Sequence, residues 1–386
     1  MRILFVDSNQ IADNAMLWGL VEMELDVERA ITKPDINSTS SQMVNALIKE
    51  LDGFDVAMSQ NFIPDLASAC QLLGKKYISW IYDSPQMSLF RKEALYDTNH
   101  IFMFDKAGVE LLNKRGFNRV THYPLAANMS QASGLYISDE DIEKYTCDVS
   151  FVGSLYSRDH VDKLVAGLSP LARADLDAYA DEHICRFTGR NIASATFSDR
   201  LIGELNKSVK QDTFNDYDVD RDYFTQILVA LPYMAHLERI HLINRAADRY
   251  NTRLYTNDAM SQQVRALVCP PVDSETDMYK VFYSSKINLN ITHRGIITGL
   301  PQRIFDIASV GGFVFTNYQA ELDDYFREGN DIECFRDVKE FDDKLGYYLS
   351  HDNERINIAI NGYKKVRDLF NCRRALENIL RLSGLM

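Results

Sequence analysis

Short runs of β-branched and aromatic residues alternate with stretches of helical periodicity along most of the chain, and this alternation limits the possible folds more than any other feature. Parallel strands buried on both faces give apolar runs of this kind, without strict two-residue alternation. The pattern therefore predicts an α/β protein with two doubly wound sheets in tandem. The predicted strands lie at residues 3–7, 54–58, 77–83, 100–105, 119–123, 147–154, 252–256, 286–292, 312–316 and 332–335.

The predicted elements divide the chain into two Rossmann-like domains. Residues 1–126 form the first domain, residues 127–146 are a polar linker, and residues 147–386 form the second domain. Helical periodicity without a clear strand signal covers about 159–250, so we interpret this stretch as a helical insertion or cap in the second domain. The helical tail at about 352–382 is expected to brace both domains.

Size and charge restrict the possible partners. The chain has 386 residues, more than one hydrophobic core usually serves, which agrees with two domains. With 42 Lys and Arg against 55 Asp and Glu, its formal net charge is −13. This excess of acid disfavours general binding to nucleic acid or to anionic membranes, since both partners attract basic surfaces. A local cationic pocket is compatible with it.

Several signals that would assign a compartment or a cofactor are missing from the sequence. The first apolar run ends at Asp7, too early for a secretory signal or a membrane span, and no later segment suits a transmembrane helix. The 6 cysteines are far apart, which indicates thiols in a reducing cytoplasm and no metal site. The first strand is not followed by G-x-G-x-x-G, so we expect no dinucleotide cofactor.

In open α/β sheets, ligands bind beyond the carboxyl ends of the strands, so residues that follow the predicted strands are candidates. Asp83 lies in Y-D-S-P after a strand, where it is either a general base for an acceptor hydroxyl or the cap of a helix beginning near Pro85. Gly153 and Ser154 follow the first strand of the second domain. Gly153 either lets a phosphate approach the backbone or serves a turn with positive φ.

The densest group of candidates is T-H-R-G-I-I-T-G-L-P-Q-R-I-F-D-I-A-S-V-G-G at 292–312. It combines a strand end, a loop that contains Gly299, and a helix that begins near Pro301 and carries Arg303 and Asp306 on one face. This arrangement suits a nucleotide diphosphate, with the guanidinium and helix N-terminus on the phosphates and the carboxylate on a ribose diol. A simple surface ion pair is the alternative, but it does not explain the adjacent loop.

Four further residues are candidates by their position. His293 either donates a hydrogen bond to the diphosphate or the transferred sugar, or has a structural role, and the adjacent Arg294 adds positive charge to the same loop. Tyr255 and Thr256 follow the second strand of the second domain. They are candidate nucleobase contacts, with core packing as the alternative for the aromatic ring.

Several motifs of this chain occur together in one known family. They are L-N at 289–290, R-I-F-D-I-A-S-V-G-G at 303–312, F-R-E-G-N-D-I-E-C-F at 326–335 and E-R-I-N-I-A-I-N-G-Y at 354–363. Residues 277–380 thereby resemble the C-terminal domain of bacterial GT-B glycosyltransferases, in particular the group of spore-maturation and spore-protein glycosyltransferases. The first half is similar more loosely, through S-W-I-Y-D-S-P at 79–85 and F-D at 104–105.

This resemblance implies a GT-B fold, in which two Rossmann-like domains face a cleft. It also implies metal-independent transfer of a sugar from a nucleotide diphosphate donor, with a UDP-sugar expected, to a protein, glycan or small-molecule acceptor. Asp306 stands where the family has a glutamate that holds the ribose hydroxyls, and Arg303 would face the diphosphate. Thr298 is a departure, because retaining relatives carry a further glutamate at that position.

Three hypotheses follow. The first is a glycosyltransferase in which Arg294, Arg303 and a helix N-terminus stabilise the leaving nucleotide diphosphate, while Asp83 activates the acceptor. The second is a non-catalytic nucleotide-sugar sensor or scaffold subunit, which Thr298 favours. The third is a nucleotide-sugar epimerase, because the same architecture also hosts such enzymes.

Overall fold

The computed structural model shows two compact units, each built around one six-stranded sheet. It describes residues 1–7, 13–36, 38–156, 159–189, 197–208, 221–258 and 263–386. The first unit consists of the described residues of Met1–Asn128 and Leu369–Met386. The second unit consists of the described residues of Met129–Phe214 and Asp220–Asp368.

The first sheet has the strand order β2-β1-β3-β4-β5-β6, and its neighbouring strands are parallel. Its strands are β1 (Arg2–Phe5), β2 (Asp26–Arg29), β3 (Val56–Gln60), β4 (Lys76–Ile81), β5 (Asn99–Met103) and β6 (Val120–His122). Every residue of β3 is buried, as expected for a central strand covered on both faces. Because all pairs are parallel, the carboxyl ends of the strands share one edge of the sheet.

The second sheet has the strand order β12-β11-β10-β7-β8-β9 and is also parallel. Its strands are β7 (Cys147–Val152), β8 (Thr252–Tyr255), β9 (Leu267–Cys269), β10 (Ser285–Asn290), β11 (Val314–Asn317) and β12 (Glu333–Phe335). The central strands β7 and β10 pair directly, with Ile287 opposite Val149. Both residues are fully buried in the core of this unit.

Helices cover the faces of both sheets. In the first unit they are α1 (Asp13–Glu22), α2 (Ser41–Glu50), α3 (Pro64–Leu73), α4 (Lys106–Lys114) and α17 (Cys372–Leu382), with 3-10 helices at Met87–Phe90 and Lys92–Leu95. In the second unit they are α5 (Met129–Gly134), α6 (Asp139–Tyr145), α7 (Asp159–Ala166), α8 (Pro170–His183), α9 (Asp199–Ser208), α10 (Arg221–Thr225), α11 (Leu231–Ala247), α12 (Asp277–Ser284), α13 (Gln302–Ser309), α14 (Leu322–Tyr325), α15 (Val338–Ser350) and α16 (Asp352–Leu369). No helix in the described part of the chain is long and apolar enough to cross a membrane.

The helical stretch between β7 and β8 has a small hydrophobic core of its own. Leu176 of α8, Leu201 of α9 and Tyr233 of α11 belong to this core. A π-helical segment, Gln226–Ala230, joins α10 to α11. The second half of α11 instead contributes Leu242 to the core beside the sheet. The helix α11 therefore connects the helical stretch to the sheet that carries the candidate site.

The compact units differ from the expected domains at two places. The stretch expected to be a linker, 127–146, contains α5 and α6, and α6 begins with a capping box between Ser138 and Asp141. At the other end, α17 belongs to the first unit. It approaches α1 closely at Gly19, where a Cβ atom would lie 2.6 Å from Leu376 Cδ1. Local capping and this close helix contact explain the two differences.

Candidate functional site

The topology of the second sheet places a crevice between the carboxyl ends of β7 and β10. From β7 the chain continues outward to β8 and β9, and it then returns to add β10 on the other side of β7. Such a reversal of strand order makes the two following loops diverge, and ligands of open α/β sheets bind there. The residues that line this point come from the loops after β7 and β10.

The loop after β7 is held by a carboxylate from the loop after β8. Ser154 Oγ donates a hydrogen bond to Asp258 Oδ2 at 2.8 Å, and the Leu155 N–H donates to the same oxygen. Gly153 lies beside a cation, since a Cβ atom at this position would be 3.9 Å from Arg239 Nη1. Gly153 and Ser154, both predicted as candidates, therefore border the crevice. The Ser154 hydroxyl holds the loop through its hydrogen bond to Asp258.

Arg239, on α11, spans this crevice and was not predicted from the sequence. One Nη donates to the Ser154 carbonyl oxygen and the other to the Ile291 carbonyl oxygen at 2.7 Å, so the guanidinium joins the ends of β7 and β10. The side chain lies over the Tyr156 ring, 4.3 Å from its centroid. Among the described residues, its Nε has no hydrogen-bond partner although Arg239 is only 9% exposed.

The positive charge of Arg239 is incompletely compensated. Burial lowers the pKa of Arg239, and the nearby positive charge of Arg303 lowers it further, while Tyr156 and Asp258 act in the opposite direction. In the described part of the chain, the Arg239 guanidinium donates to two carbonyl oxygens and to no carboxylate. The guanidinium groups of Arg239 and Arg303 therefore lie near enough for their charges to interact. Such a pair is suited to an anion with several oxygens, because each guanidinium offers several donors.

Arg303 and Asp306 lie together on α13, as predicted. Arg303 Nη1 is 3.6 Å from Asp306 Oδ2, and Gln302 Nε2 donates to Asp306 Oδ1 at 2.8 Å. Asp306 is 7% exposed. Burial raises the pKa of Asp306 above its usual value, although Arg303 and Gln302 act in the opposite direction. A carboxylate held this way by its neighbours is a suitable acceptor for ligand hydroxyl groups.

His293 lies near the start of the loop that follows β10, beside Tyr156. Its Nδ1 accepts a hydrogen bond from the Gly295 N–H at 2.9 Å, and the two rings meet edge to face with centroids 4.6 Å apart. An Nδ1 that accepts a hydrogen bond leaves the proton of the neutral ring on Nε2. His293 therefore offers an N–H donor from Nε2, which is compatible with its predicted contact to an anion.

Arg294 does not have the predicted geometry of a phosphate ligand. Its Nε donates to Glu238 Oε1 and Oε2, both at 3.0 Å, and an Nη group donates to the His183 carbonyl oxygen at 2.9 Å. The side chains of Arg294 and Glu238 are 4% and 0% exposed. Glu238 attracts the guanidinium into the protein interior, so Arg294 anchors its loop to α11 instead of facing the crevice.

Tyr255, Thr256 and Gly299 also differ from the expected open contact positions. The Tyr255 ring is buried against Tyr145, and burial raises the pKa of its hydroxyl to about 12. Thr256 is buried, and its Oγ1 accepts the Asp258 N–H at 3.2 Å. Gly299 is buried in the loop before α13. These residues shape the strand ends, and the apolar surroundings of β8 explain why its last aromatic ring faces inward.

In the first unit, Asp83 lies at the carboxyl edge of the sheet. Asn61, which follows β3, donates from Nδ2 to Asp83 Oδ2 at 2.8 Å, and Asn61 Oδ1 accepts the Tyr82 N–H at 2.8 Å. Burial raises the pKa of Asp83 above its usual value, although the Asn61 hydrogen bond acts in the opposite direction. Asp83 is not a helix cap, since the next helix begins after Gln86.

In the second unit, a group of side chains with metal-ligand chemistry lies at Glu328, Glu333 and Cys334. It is already charge-compensated, because Lys344 Nζ is 2.5 Å from Glu328 Oε1 and 2.7 Å from Glu333 Oε1. Arg336 Nη2 adds a contact of 2.7 Å to Glu328 Oε2. We therefore interpret this group as an ion-pair network and assign no metal to it.

The network predicts a pH dependence of stability. Burial alone would raise the pKa of Glu328, but hydrogen bonds from Arg336 and Lys344 lower it from 4.5 to about 2. Its stabilising contribution is then complete above the unfolded value and is lost as the pH falls from 4.5 to about 2. Glu328→Gln should reduce the slope of unfolding free energy against pH in this range, by up to about 1.4 kcal/mol per pH unit.

Urea unfolding at several pH values measures this slope, and Glu354→Gln is a control at an exposed glutamate that is bonded to Tyr347. Equal slopes for Glu328→Gln and the unsubstituted protein would contradict the assignment.

Comparison with known proteins agrees with this architecture. Residues 239–381 match a family described as glycosyl transferase-like. The Anabaena protein HepE, solved in complex with UDP-glucose, superposes with a TM-score of 0.54 at 11% identity, over 100% of both chains. T4 phage BGT, in complex with its UDP-glucose substrate, gives 0.52 at 9% identity over 99% of both chains.

Sucrose-phosphate synthase from Thermosynechococcus elongatus gives a TM-score of 0.51 at 9% identity, over 100% of this chain and 98% of that one. No curated protein is significantly similar to the chain in sequence. At these identities the superpositions establish the fold. The protein has the two-domain α/β fold of GT-B glycosyltransferases.

Proposed function

We propose that the protein is a glycosyltransferase that takes its sugar from a nucleoside diphosphate donor, with a UDP-sugar as the preferred class. The observation that carries this proposal is Arg239, a buried cation that bridges the ends of β7 and β10 and has no carboxylate partner among the described residues. The GT-B fold and the match of residues 239–381 to a glycosyl transferase-like family support the same function. The narrower likeness to spore-maturation enzymes stays a prediction.

In this proposal the donor is bound by the second unit. Arg239 and Arg303 bind the diphosphate, Asp306 accepts hydrogen bonds from the ribose hydroxyls, and His293 donates from Nε2 to a phosphate oxygen. The two guanidinium groups neutralise the charge that develops on the departing nucleotide, which is the role a metal ion has in other transferases. Transfer without a metal is therefore part of the proposal.

The transfer step joins an acceptor oxygen to the anomeric carbon of the sugar. The bond between that carbon and the β-phosphate oxygen breaks, and the nucleoside diphosphate leaves with the bonding electrons. We propose that Asp83 takes the proton of the acceptor hydroxyl, with its carboxylate oriented by Asn61. Protein, glycan and small-molecule acceptors all fit this chemistry.

Discrimination between ribose and deoxyribose tests the donor site. We expect the protein to bind UDP about tenfold more tightly than 2′-deoxy-UDP, because a hydrogen bond to a charged acceptor contributes about 1.5–3 kcal/mol. Asp306→Asn keeps the size of the side chain and the Gln302 contact at one oxygen, but it removes the charge. Calorimetric titration of this variant should give nearly equal affinities for the two nucleotides.

Equal binding of both nucleotides by the unsubstituted protein would contradict the ribose contact. Glu354→Gln is the control, since this exposed glutamate is bonded to Tyr347 and is not proposed to touch the nucleotide. Release of UDP from UDP-glucose, measured with a coupled assay, tests the transferase activity itself. Binding of UDP without any release of UDP across acceptors would favour a non-catalytic nucleotide-sugar sensor.

A further inference from the structure

The last residue of β11 and the segment that follows it carry three buried polar side chains at alternate positions. Asn317 and Gln319 are each 0% exposed, and Glu321 is 2% exposed. We call residues 317–321 the β11 extension. Three consecutive inward-facing positions with polar side chains are unusual in a protein core, since each polar group there needs a partner.

Each of these side chains holds one point of the loop that follows β10. Asn317 Oδ1 accepts the Thr292 N–H at 2.6 Å, and Glu321 Oε1 accepts from Thr298 Oγ1 at 2.7 Å. Gln319 Nε2 makes a longer bond of 3.4 Å to a carbonyl oxygen of the same loop. The β11 extension thus shapes the loop that leads into α13 and its proposed donor contacts.

Two polar atoms of the extension have no hydrogen-bond partner in the described structure. They are Asn317 Nδ2, a donor, and Gln319 Oε1, an acceptor. The other atom of each amide is already engaged with the loop, which fixes which atom is left over. Buried donors and acceptors in native proteins are almost always paired. An unpaired donor and an unpaired acceptor on one short segment therefore leave room for a partner that the described residues do not provide.

A hydroxyl group matches these two atoms, because it accepts one hydrogen bond and donates another. An anionic group does not, since the Glu321 carboxylate lies two residues further along the same segment. We propose that Asn317 and Gln319 bind a hydroxyl group of the transferred sugar and make the β11 extension the element that selects a neutral hexose. This inference rests on the proposed function, because it concerns the sugar attached to the diphosphate.

The position of the extension agrees with this role. The β10 loop runs from Thr292, beside Asn317, to the start of α13, where Arg303 and Asp306 lie. A sugar linked to a diphosphate at α13 is therefore next to this loop. Both unpaired atoms are covered, so the hydroxyl reaches them when the loop moves. The long bond from Gln319 to Ile296 is the contact that such a movement breaks first.

Asn317→Asp tests the subsite with little change of shape. It replaces the Nδ2 donor by an oxygen and retains an acceptor for the Thr292 N–H. We expect the dissociation constant of UDP to stay within twofold of the original value, and that of UDP-glucose to rise about tenfold. Calorimetric titration measures both constants. Tyr318→Phe is the matched control, because the Tyr318 hydroxyl donates to Asp323 at 2.6 Å on the exposed side of the same segment.

The unsubstituted protein provides a second measurement that does not depend on folding of a variant. Among UDP-glucose analogues that each lack one sugar hydroxyl, one should bind about tenfold more weakly than UDP-glucose. Equal binding of all analogues would overturn the subsite. An equal effect of Asn317→Asp on the dissociation constants of UDP and UDP-glucose would overturn it too, because it would indicate that Asn317 only supports the loop or binds an internal water. Failure of the unsubstituted protein to bind UDP at all would instead overturn the proposed function.

Discussion

Arg294→Met is expected to lower the free energy of unfolding by about 3–5 kcal/mol, because it leaves the Glu238 carboxylate buried without its counter-ion. Burial disfavours the charge on Arg294, yet Glu238 still raises the pKa of Arg294 above its usual value. The two side chains are thus strongly coupled. Urea unfolding followed by circular dichroism measures the change.

A double variant separates the charge effect from simple loss of packing. Glu238→Gln combined with Arg294→Met removes both charges and keeps an acceptor for the Cys185 N–H, which Glu238 Oε1 accepts at 2.9 Å. We expect this double variant to be more stable than Arg294→Met alone, since no unpaired charge is left in the interior. A loss below about 1 kcal/mol for the single variant would show that the pair contributes little.

Arg239→Gln is expected to weaken UDP binding about 10- to 100-fold. It removes a buried positive charge at the point where the diphosphate is proposed to lie, and hydrogen bonds to charged groups contribute about 1.5–3 kcal/mol each. As the salt concentration rises, the UDP affinity of the unsubstituted protein should also fall more steeply than that of the variant, because the variant forms one fewer charge pair with UDP. Calorimetric titration at two salt concentrations tests both expectations.

Arg245→Gln is the matched control for this experiment. Arg245 lies on the same helix as Arg239 and pairs with Asp342, since Arg245 Nε donates to Asp342 Oδ1 at 3.1 Å. It is not part of the crevice described above. Its removal should leave the UDP affinity unchanged. A folded Arg239→Gln variant that binds UDP within twofold of the original affinity would disprove the assignment of Arg239 to the diphosphate.

The strands that the sequence did not indicate both lie at sheet edges, although two other edge strands, β6 and β12, were predicted. All ten predicted strands overlap strands of the structure. The two that the sequence did not indicate, β2 at Asp26–Arg29 and β9 at Leu267–Cys269, are edge strands that each pair with one neighbour. Both are largely exposed, so they lack the continuous apolar run that identifies a buried strand.

The candidate site was predictable only where the residues follow a strand in sequence. Asp306 and Arg303 could be identified because they share one short helix after β10. Arg239 could not, since it lies in the middle of α11 and reaches the strand ends across the fold. The one available signal was the charged pair Glu238 and Arg239 inside an otherwise largely buried helix. A buried charge on a helix needs a partner, and its identity depends on the tertiary structure.

The π-helical segment Gln226–Ala230 has a consequence for how α11 serves two surfaces. A π turn holds more residues than an α turn, so it rotates everything that follows relative to the helix before it. Each added residue changes the direction of later side chains by about 100°. The segment thus sets the rotational phase at which Glu238 meets Arg294 and Arg239 meets the strand ends. A change of length in this segment would redirect both side chains without altering either residue.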